Sequence, residues 1–299
     1  MNRREFLHRS AALAAVAAIP TLPSAAAAKP AAGSGPVASP LQPPPHGPIP
    51  VAFLISEGAV VIDFCGPWEV FQDAVVPGRE TPFQLYTIAE STKPIRASSG
   101  LKIVPDYTLA DAPPPKLIVI PAQSHHGAAA LEWVRQASRH TDVTMSVCTG
   151  AFLLAETGLL AGKAATTYHG AFKHFEKSFP DVQLKRGARF VEAGNLATAG
   201  GLSSGIDLAL RVVERYFGRE AATNTAYGME YQGQGWMNPD SNSIYASEPQ
   251  ASAGHVLCPV CAMEVDPATA PKSVYQAKAY YFCSVDHKEL FDAAPAKWL

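Results

Sequence analysis

Net charge is nearly absent from this chain. Its 299 residues carry 24 Lys and Arg against 26 Asp and Glu, a formal −2. A mildly acidic chain lacks the basic footprint that nucleic acid requires, so no nucleic-acid partner is expected. Long apolar runs are also missing. The run from Ala11 to Ile19 falls short of the roughly 20 residues a membrane span needs, and no span is expected. Cysteines are few: Cys65, Cys148, Cys258, Cys261 and Cys283. Each can therefore be read for its own chemistry.

The N-terminus reads as an export signal. Asn2-Arg3-Arg4-Glu5-Phe6-Leu7 is a twin-arginine pattern, followed by the alanine-rich apolar run and a small-residue cleavage site at Ser24–Ala28. Residues 1–28 are assigned to this signal, which makes the protein periplasmic. The signal takes a net +2 with it and leaves a mature chain of about −4. Residues 29–48, mostly Ala, Gly, Ser and Pro, cannot bury enough surface to fold and are read as a linker. Residues 49–237 form the larger domain, 238–254 a second linker, and 255–299 a small C-terminal module.

Within the larger domain, Pro50–Ile55 is a continuous apolar run of the kind that a parallel strand shows when both its faces are buried. Further strands are expected at Phe83–Ile88, Leu117–Ile120, Val143–Val147 and within Phe190–Ala197. Helices are expected from about Pro67, over Ala128–Arg139, Ala151–Glu156 and Ser203–Tyr216, and near Glu220–Tyr231. Strands alternating with helices imply βαβ units: an α/β fold, a three-layer sandwich around a mostly parallel sheet. Sites in such sheets lie beyond the carboxyl ends of the strands.

Residues 143–163, VTMSVCTGAFLLAETGLLAGK, organise the domain. Cys148 stands between a buried strand and a helix N-terminus, a nucleophile elbow. There, unpaired N–H groups and the helix dipole favour thiolate. Cys148 is thus either a nucleophile, and then the most alkylation-reactive cysteine, or a buried structural cysteine. Asp63, in Val61-Ile62-Asp63-Phe64-Cys65-Gly66-Pro67, is an acid among apolar neighbours. It is either a proton-exchanging group of raised proton affinity or the cap of the helix that follows.

The stretch SVCTGAFLLAETGLLAGKAATTYHGA resembles the elbow segment of the ThiJ/PfpI superfamily, whose fold is that of the class I glutamine amidotransferases. Cys-Thr-Gly and Leu-Leu-Ala-Gly-Lys-Ala-Ala-Thr-Thr most resemble the isonitrile hydratase branch; the amidase domains of certain AraC-type regulators are similar too. The resemblance implies Cys148 as nucleophile and Asp63 as the essential acid, with Thr149 beside them. It implies substrate or oxyanion contacts at Ala122, Gln123 and Gly150, and a homodimer. Two departures stand out. Thr149 occupies the place where many members have His, which fits Cys-His proteases and glyoxalase-type members poorly. Pro121-Ala122-Gln123 replaces the usual Pro-Gly-Gly. Cys65 reads as a core neighbour, and His125 and His126 as loop histidines. His169 stands where members often bring a His toward the nucleophile. Gly200-Gly201 forms a rim turn, and Ser203 or Ser204 caps the helix after it.

The C-terminal module carries Cys258-x2-Cys261 and Cys283-x3-His287, four ligands of the number and type a tetrahedral metal needs. A Cys258–Cys261 disulfide is the other reading, but it leaves Cys283 single. A module of this size needs a staple. Its aromatic cluster of Tyr275, Tyr280, Tyr281, Phe282 and Phe291 is small for a self-sufficient core, so metal binding should be coupled to its folding while the larger domain stays indifferent to it. The stretch resembles a YHS domain with His287 in place of a Cys, and zinc suits it, with copper or iron as further candidates. The catalytic domain needs no cofactor. Together these features imply an exported, cysteine-dependent isonitrile hydratase-like enzyme, adding water to a small carbon–nitrogen substrate to give an N-substituted formamide. The alternative is a non-catalytic metal- or ligand-binding protein on an amidase-like scaffold.

Overall fold

Ile49 to Leu54 is buried at every position but Pro50 because both faces of this strand are covered. In the computed structural model, which describes residues 39–124 and 126–299, alternate side chains of the strand enter two different cores. The expected signal 1–28, residues 29–38 of the expected linker, and His125 lie outside the described residues. Among the described residues, seven strands make the main sheet: β1 (Ile49–Leu54), β2 (Phe83–Ala89), β3 (Tyr107–Thr108), β4 (Leu117–Ile120), β5 (Val143–Val147), β6 (Phe190–Ala193) and β7 (Leu196–Ala199). They lie in the order β6-β7-β5-β4-β1-β2-β3, and all pair in parallel except the edge hairpin β6–β7. The single strand expected within Phe190–Ala197 is thus two, turned at Gly194 in the left-handed region (φ 71°).

Ile49, Val51 and Phe53 face α1 (Val61–Gln72) and, later in the chain, Leu208 and Val212 of the long helix Ser204–Gly228. Ala52 and Leu54 face α2 (Ala128–Ala137) and α3 (Gly150–Glu156), with Phe175 of α4 (Phe172–Ser178). The result is a three-layer sandwich. The Ser204–Gly228 helix, α5, breaks at Gly218 (φ 88°, ψ 167°) into the two helical segments that the periodicity implied. No helix among the described residues is long and apolar enough to cross a membrane.

Helix α1 starts six residues before the expected Pro67, which lies inside it. A proline has no N–H to give the carbonyl four residues back, here that of Asp63. The helix tolerates this in its second turn, and Asp63 therefore sits in the first turn rather than ahead of it. Its backbone N–H donates to the Val60 carbonyl at 3.1 Å.

The C-terminal module pairs Val256–Leu257 with Glu264–Val265 and Lys272–Tyr275 with Lys278–Tyr281, then ends in α6 (Val285–Ala293). Ser284 caps α6 by accepting from His287 N at 3.2 Å. Phe282 and Phe291 are fully buried in a core shared with Tyr275, Tyr280 and Trp298. The module rests on the larger domain. Trp298 lies against His174 (ring centroids 5.3 Å apart), and Lys177 Nζ donates to the Ala296 carbonyl at 3.4 Å.

The segment before it is held as well. Arg189 bonds Asp207 Oδ2 (2.6 Å), Asn242 Oδ1 (3.2 Å) and Ser203 Oγ (3.0 Å), and its N–H donates to the Pro239 carbonyl (2.6 Å). Trp236 N and Tyr231 OH also donate to Asp207. Ser203 thus receives Arg189 and makes no side-chain cap, and Ser204 Oγ receives Asn242 at 3.4 Å.

Strand and helix meet tightly at Gly150. A Cβ there would collide with the Ile120 carbonyl oxygen and approach Pro121, both backbone. Gly158, after α3, is left-handed (φ 79°) but open. We expect Gly158→Ala to cost about 1 kcal/mol, the strain of the left-handed basin. Gly150→Ala should cost about 3 kcal/mol or more, because strand and helix must separate. Urea unfolding midpoints at constant m separate the two.

Candidate active site and metal centre

The carboxyl ends of β4 and β5 and the first turn of α1 converge. Cys148 follows β5 with φ at 57°, a conformation rare for a residue with a Cβ and expensive enough to need support from its surroundings. The support is visible. Cys148 N donates to the Gly200 carbonyl at 2.9 Å, and Thr167 Oγ1 donates to the Cys148 carbonyl at 2.9 Å. Cys148 is 7% exposed and Asp63 is 0% exposed.

Asp63 Oδ2 accepts the Ala122 N–H at 3.1 Å; Oδ1 has no hydrogen-bond partner among the described residues. The carboxyl neighbours the Cys148 thiol. Burial raises the Asp63 pKa to about 7, against the smaller lowering effects of Ala122 N–H and the thiol. Burial, then the charge of Asp63, pushes the Cys148 thiol up to about 12. The N–H groups of Thr149 and Leu202 act on the sulfur in the opposite direction but do not prevail. This burial works against the expected thiolate. A helix N-terminus offers local dipoles, and a dry pocket shared with an acid outweighs them.

The other expected residues separate. Thr149 is half-buried at the N-terminus of α3, with its N–H toward the sulfur. Gly150 provides the close approach described above. The Ala122 N–H, expected as an oxyanion donor, is engaged by Asp63, and the Ala122 carbonyl accepts Val60 N at 2.8 Å. Gln123 turns to a cavity of about 330 Å³ lined by Leu54, Glu57, Glu90, Lys93 and His126, whose lining does not include Cys148. Cys65 packs against the core with its thiol pushed up by burial and by Glu69. His126 pairs with Glu156 at 2.8 Å. His169 stacks on Tyr245, centroids 4.4 Å apart; its neighbour Tyr168 has its phenol pushed up to about 12, chiefly by burial. Two contributors to the site were not singled out from the sequence: the Leu202 N–H and Tyr168. The Gly200-Gly201 turn was the one available signal for Leu202, itself left-handed at φ 48°.

In the C-terminal module, one ligand atom each from Cys258, Cys261, Cys283 and His287 lies within 4.8 Å of the others. Cys261 and Cys283 sulfurs are 3.5 Å apart, and His287 Nδ1 is 3.1 Å from Cys283 Sγ and 3.8 Å from Cys258 Sγ. Four ligands at about 2.3 Å around a tetrahedral ion would stand roughly 3.7 Å apart, so the donor set fits zinc. All five cysteines are free, which leaves the expected disulfide alternative without support. The hydrogen bond between the two thiols draws Cys258 below its ordinary range and pushes Cys261 above it, while burial raises Cys283.

The sequence profile of the DJ-1/PfpI family matches residues 50–215. The isonitrile hydratase of Pseudomonas putida is 30% identical over 186 residues, 60% of this chain and 78% of that protein. The HTH-type transcriptional regulator CdhR of Pseudomonas aeruginosa is 25% identical over 48% of this chain and 44% of its own length. A ThiJ/PfpI family protein from Pseudomonas syringae superposes with a TM-score of 0.56 at 23% identity, over 73% of this chain and 83% of that one.

Asp63 is protonated in the folded state up to about pH 7 and ionises near 3.8 when solvated. Between those values the folded chain holds a proton that the unfolded chain has lost. Its contribution to stability is complete below pH 3.8, falls as pH rises to 7, and is flat above. Asp63→Asn keeps an acceptor for Ala122 N–H and removes that loss. We expect the variant to be more stable than wild type at pH 8, by up to a few (about 3–4) kcal/mol, with the advantage vanishing near pH 4. Thermal melts across pH measure it.

Proposed function

The chain belongs to the DJ-1/PfpI family, and on that footing we propose that it is a Cys148- and Asp63-dependent enzyme that adds water to an isonitrile-type carbon, yielding an N-substituted formamide. One observation carries the reading: the fully buried Asp63 carboxyl, its proton affinity raised by burial, stands beside the buried Cys148 thiol. An isonitrile carbon is weakly basic and becomes electrophilic once protonated, so its chemistry starts from an acid rather than from a standing thiolate.

Asp63 gives its proton to the terminal carbon. Cys148 Sγ bonds to the same carbon and passes the thiol proton to the Asp63 carboxylate, leaving a thioimidate and a neutral acid. Water then adds to that carbon while Asp63 relays its proton to nitrogen. The C–S bond breaks, the formamide leaves, and the sulfur recovers its proton. The Thr149 and Leu202 N–H groups steady charge on sulfur as each bond forms and breaks. Amide hydrolysis fits less well: it starts from a thiolate and builds an oxyanion, and the Ala122 N–H is already occupied.

Ligand binding without turnover is the second reading. The low exposure of Cys148 and the likeness to a regulator over under half of that protein's length favour it. Steady-state assays with a panel of alkyl isonitriles decide between them. Cys148→Ser and Asp63→Asn should each lower kcat by about a hundredfold or more. Because Asp63 must begin protonated, kcat/KM should fall as pH rises through about 7. An inert wild-type enzyme that still binds the isonitriles would establish the second reading.

We also propose that the mature protein is periplasmic, on the strength of Arg3-Arg4 and the run that follows, and that the C-terminal cluster holds one zinc ion through Cys258, Cys261, Cys283 and His287. The ion supplies a cross-link that a core of this size lacks. Elemental analysis should find about one metal per chain, lost in Cys258→Ser and in Cys283→Ser.

A further inference from the structure

Residues 166–171 touch two centres at once. At one end, Thr167 holds the Cys148 carbonyl, and Thr166 N donates to Thr198 Oγ1 at 2.8 Å. At the other, Gly170 runs so close to the Cys261 carbonyl that a Cβ would collide with it. Tyr168 lies between. A Cβ on Gly201 would stand 2.7 Å from its Cδ2, and one on Gly170 would stand 2.6 Å from its Cε1. Gly201 precedes Leu202, whose N–H acts on the Cys148 sulfur.

The turn bearing Cys258 and Cys261 is a tight one. Ala262 N donates to the Cys258 carbonyl and Cys258 N to the Met263 carbonyl, both at 2.8 Å, with Ala262 left-handed at φ 58°. Ligation of two of its residues would lock this turn, and with it the Cys261 carbonyl that lies on Gly170.

We propose that metal in the C-terminal cluster shields the Cys148 sulfur through Tyr168, which the Cys261–Gly170 contact presses onto the Gly201–Leu202 turn. Tyr168 is thus a positioning residue between the C-terminal module and the turn that holds Cys148. This inference rests on the metal reading above and is independent of the isonitrile reaction. It runs against the expectation that the larger domain would be indifferent to the module's metal, and the experiment below decides between the two.

The test is the rate at which iodoacetamide labels Cys148, followed by peptide mapping, in the full mature chain titrated with zinc and again after chelation. No substrate is needed, so failure of this inference and failure of the proposed reaction are distinguishable. Zinc removal should raise the Cys148 rate on the order of tenfold, within the usual range of coupling between sites. Cys258→Ser should label at the zinc-free rate throughout. Tyr168→Phe should keep the zinc dependence, and Tyr168→Ala should label fast with or without zinc. Equal Cys148 rates in zinc-loaded and zinc-free wild type overturn the proposal, whatever the variants do. So does failure of the chain to bind zinc, or a Tyr168→Ala protein that retains the wild-type difference.

Discussion

Two acidic groups share one dry space, and neither can lose its proton without raising the cost for the other. Asp63 and Cys148 meet at the carboxyl edge of the sheet, where water is too scarce to solvate a carboxylate or a thiolate well. Keeping them together demands much of the chain. Helix α1 must begin early enough to place Asp63 in its first turn. Cys148 must accept a left-handed backbone, and Gly150 must let α3 start against the end of β4. The Ala122 amide completes the arrangement by holding one carboxyl oxygen beside the Cys148 thiol. Strain and burial of this sort gather where a fold is organised for chemistry.

Much of the scaffold could be read in the sequence. Leu117–Ile120 and Val143–Val147 appear as strands at the expected residues because a parallel strand covered on both faces writes itself as an unbroken apolar run. Cys148 and Asp63 were likewise identifiable, one by its place between strand and helix and the other as an acid among apolar neighbours. The start of α1 was not, because Pro67 reads as a helix opening when it stands in the second turn. The proton state of Cys148 was beyond reach for a different reason. Local dipoles follow from neighbours in sequence, while the desolvation that opposes them comes from the packing of distant elements. Leu202 and Tyr168 escaped notice because a backbone amide has no residue signature and a tyrosine after two threonines has no chemistry of its own until its surroundings are known.

The C-terminal ligands were legible from spacing alone, and the geometry gathers them. What spacing left out is the surface on which the module rests. Gly170 and Gly201 look like ordinary loop glycines in the sequence, yet neither is left-handed; each is small because a ring or a carbonyl needs the room. Residues 238–246 are similar. Their composition reads as a connector, but Asn242 and Tyr245 are tied to Arg189 and His169. Polar residues in a loop are easily taken as solvated when the partner that removes them from water lies far away in the chain.

Arg189 has a practical consequence for anyone who would divide this protein. Its guanidinium draws Asp207, Ser203 and Asn242 together, and its amide reaches Pro239, so the fold of the larger domain does not end where its last helix does. A fragment cut after residue 237 would discard Asn242 and Pro239. Arg189 would keep Asp207 but be left with an idle donor in a half-buried place, and the turn leading to Leu202 would rest on a loosened neighbour. The serviceable cut lies beyond residue 246, several residues into what composition marks as connector.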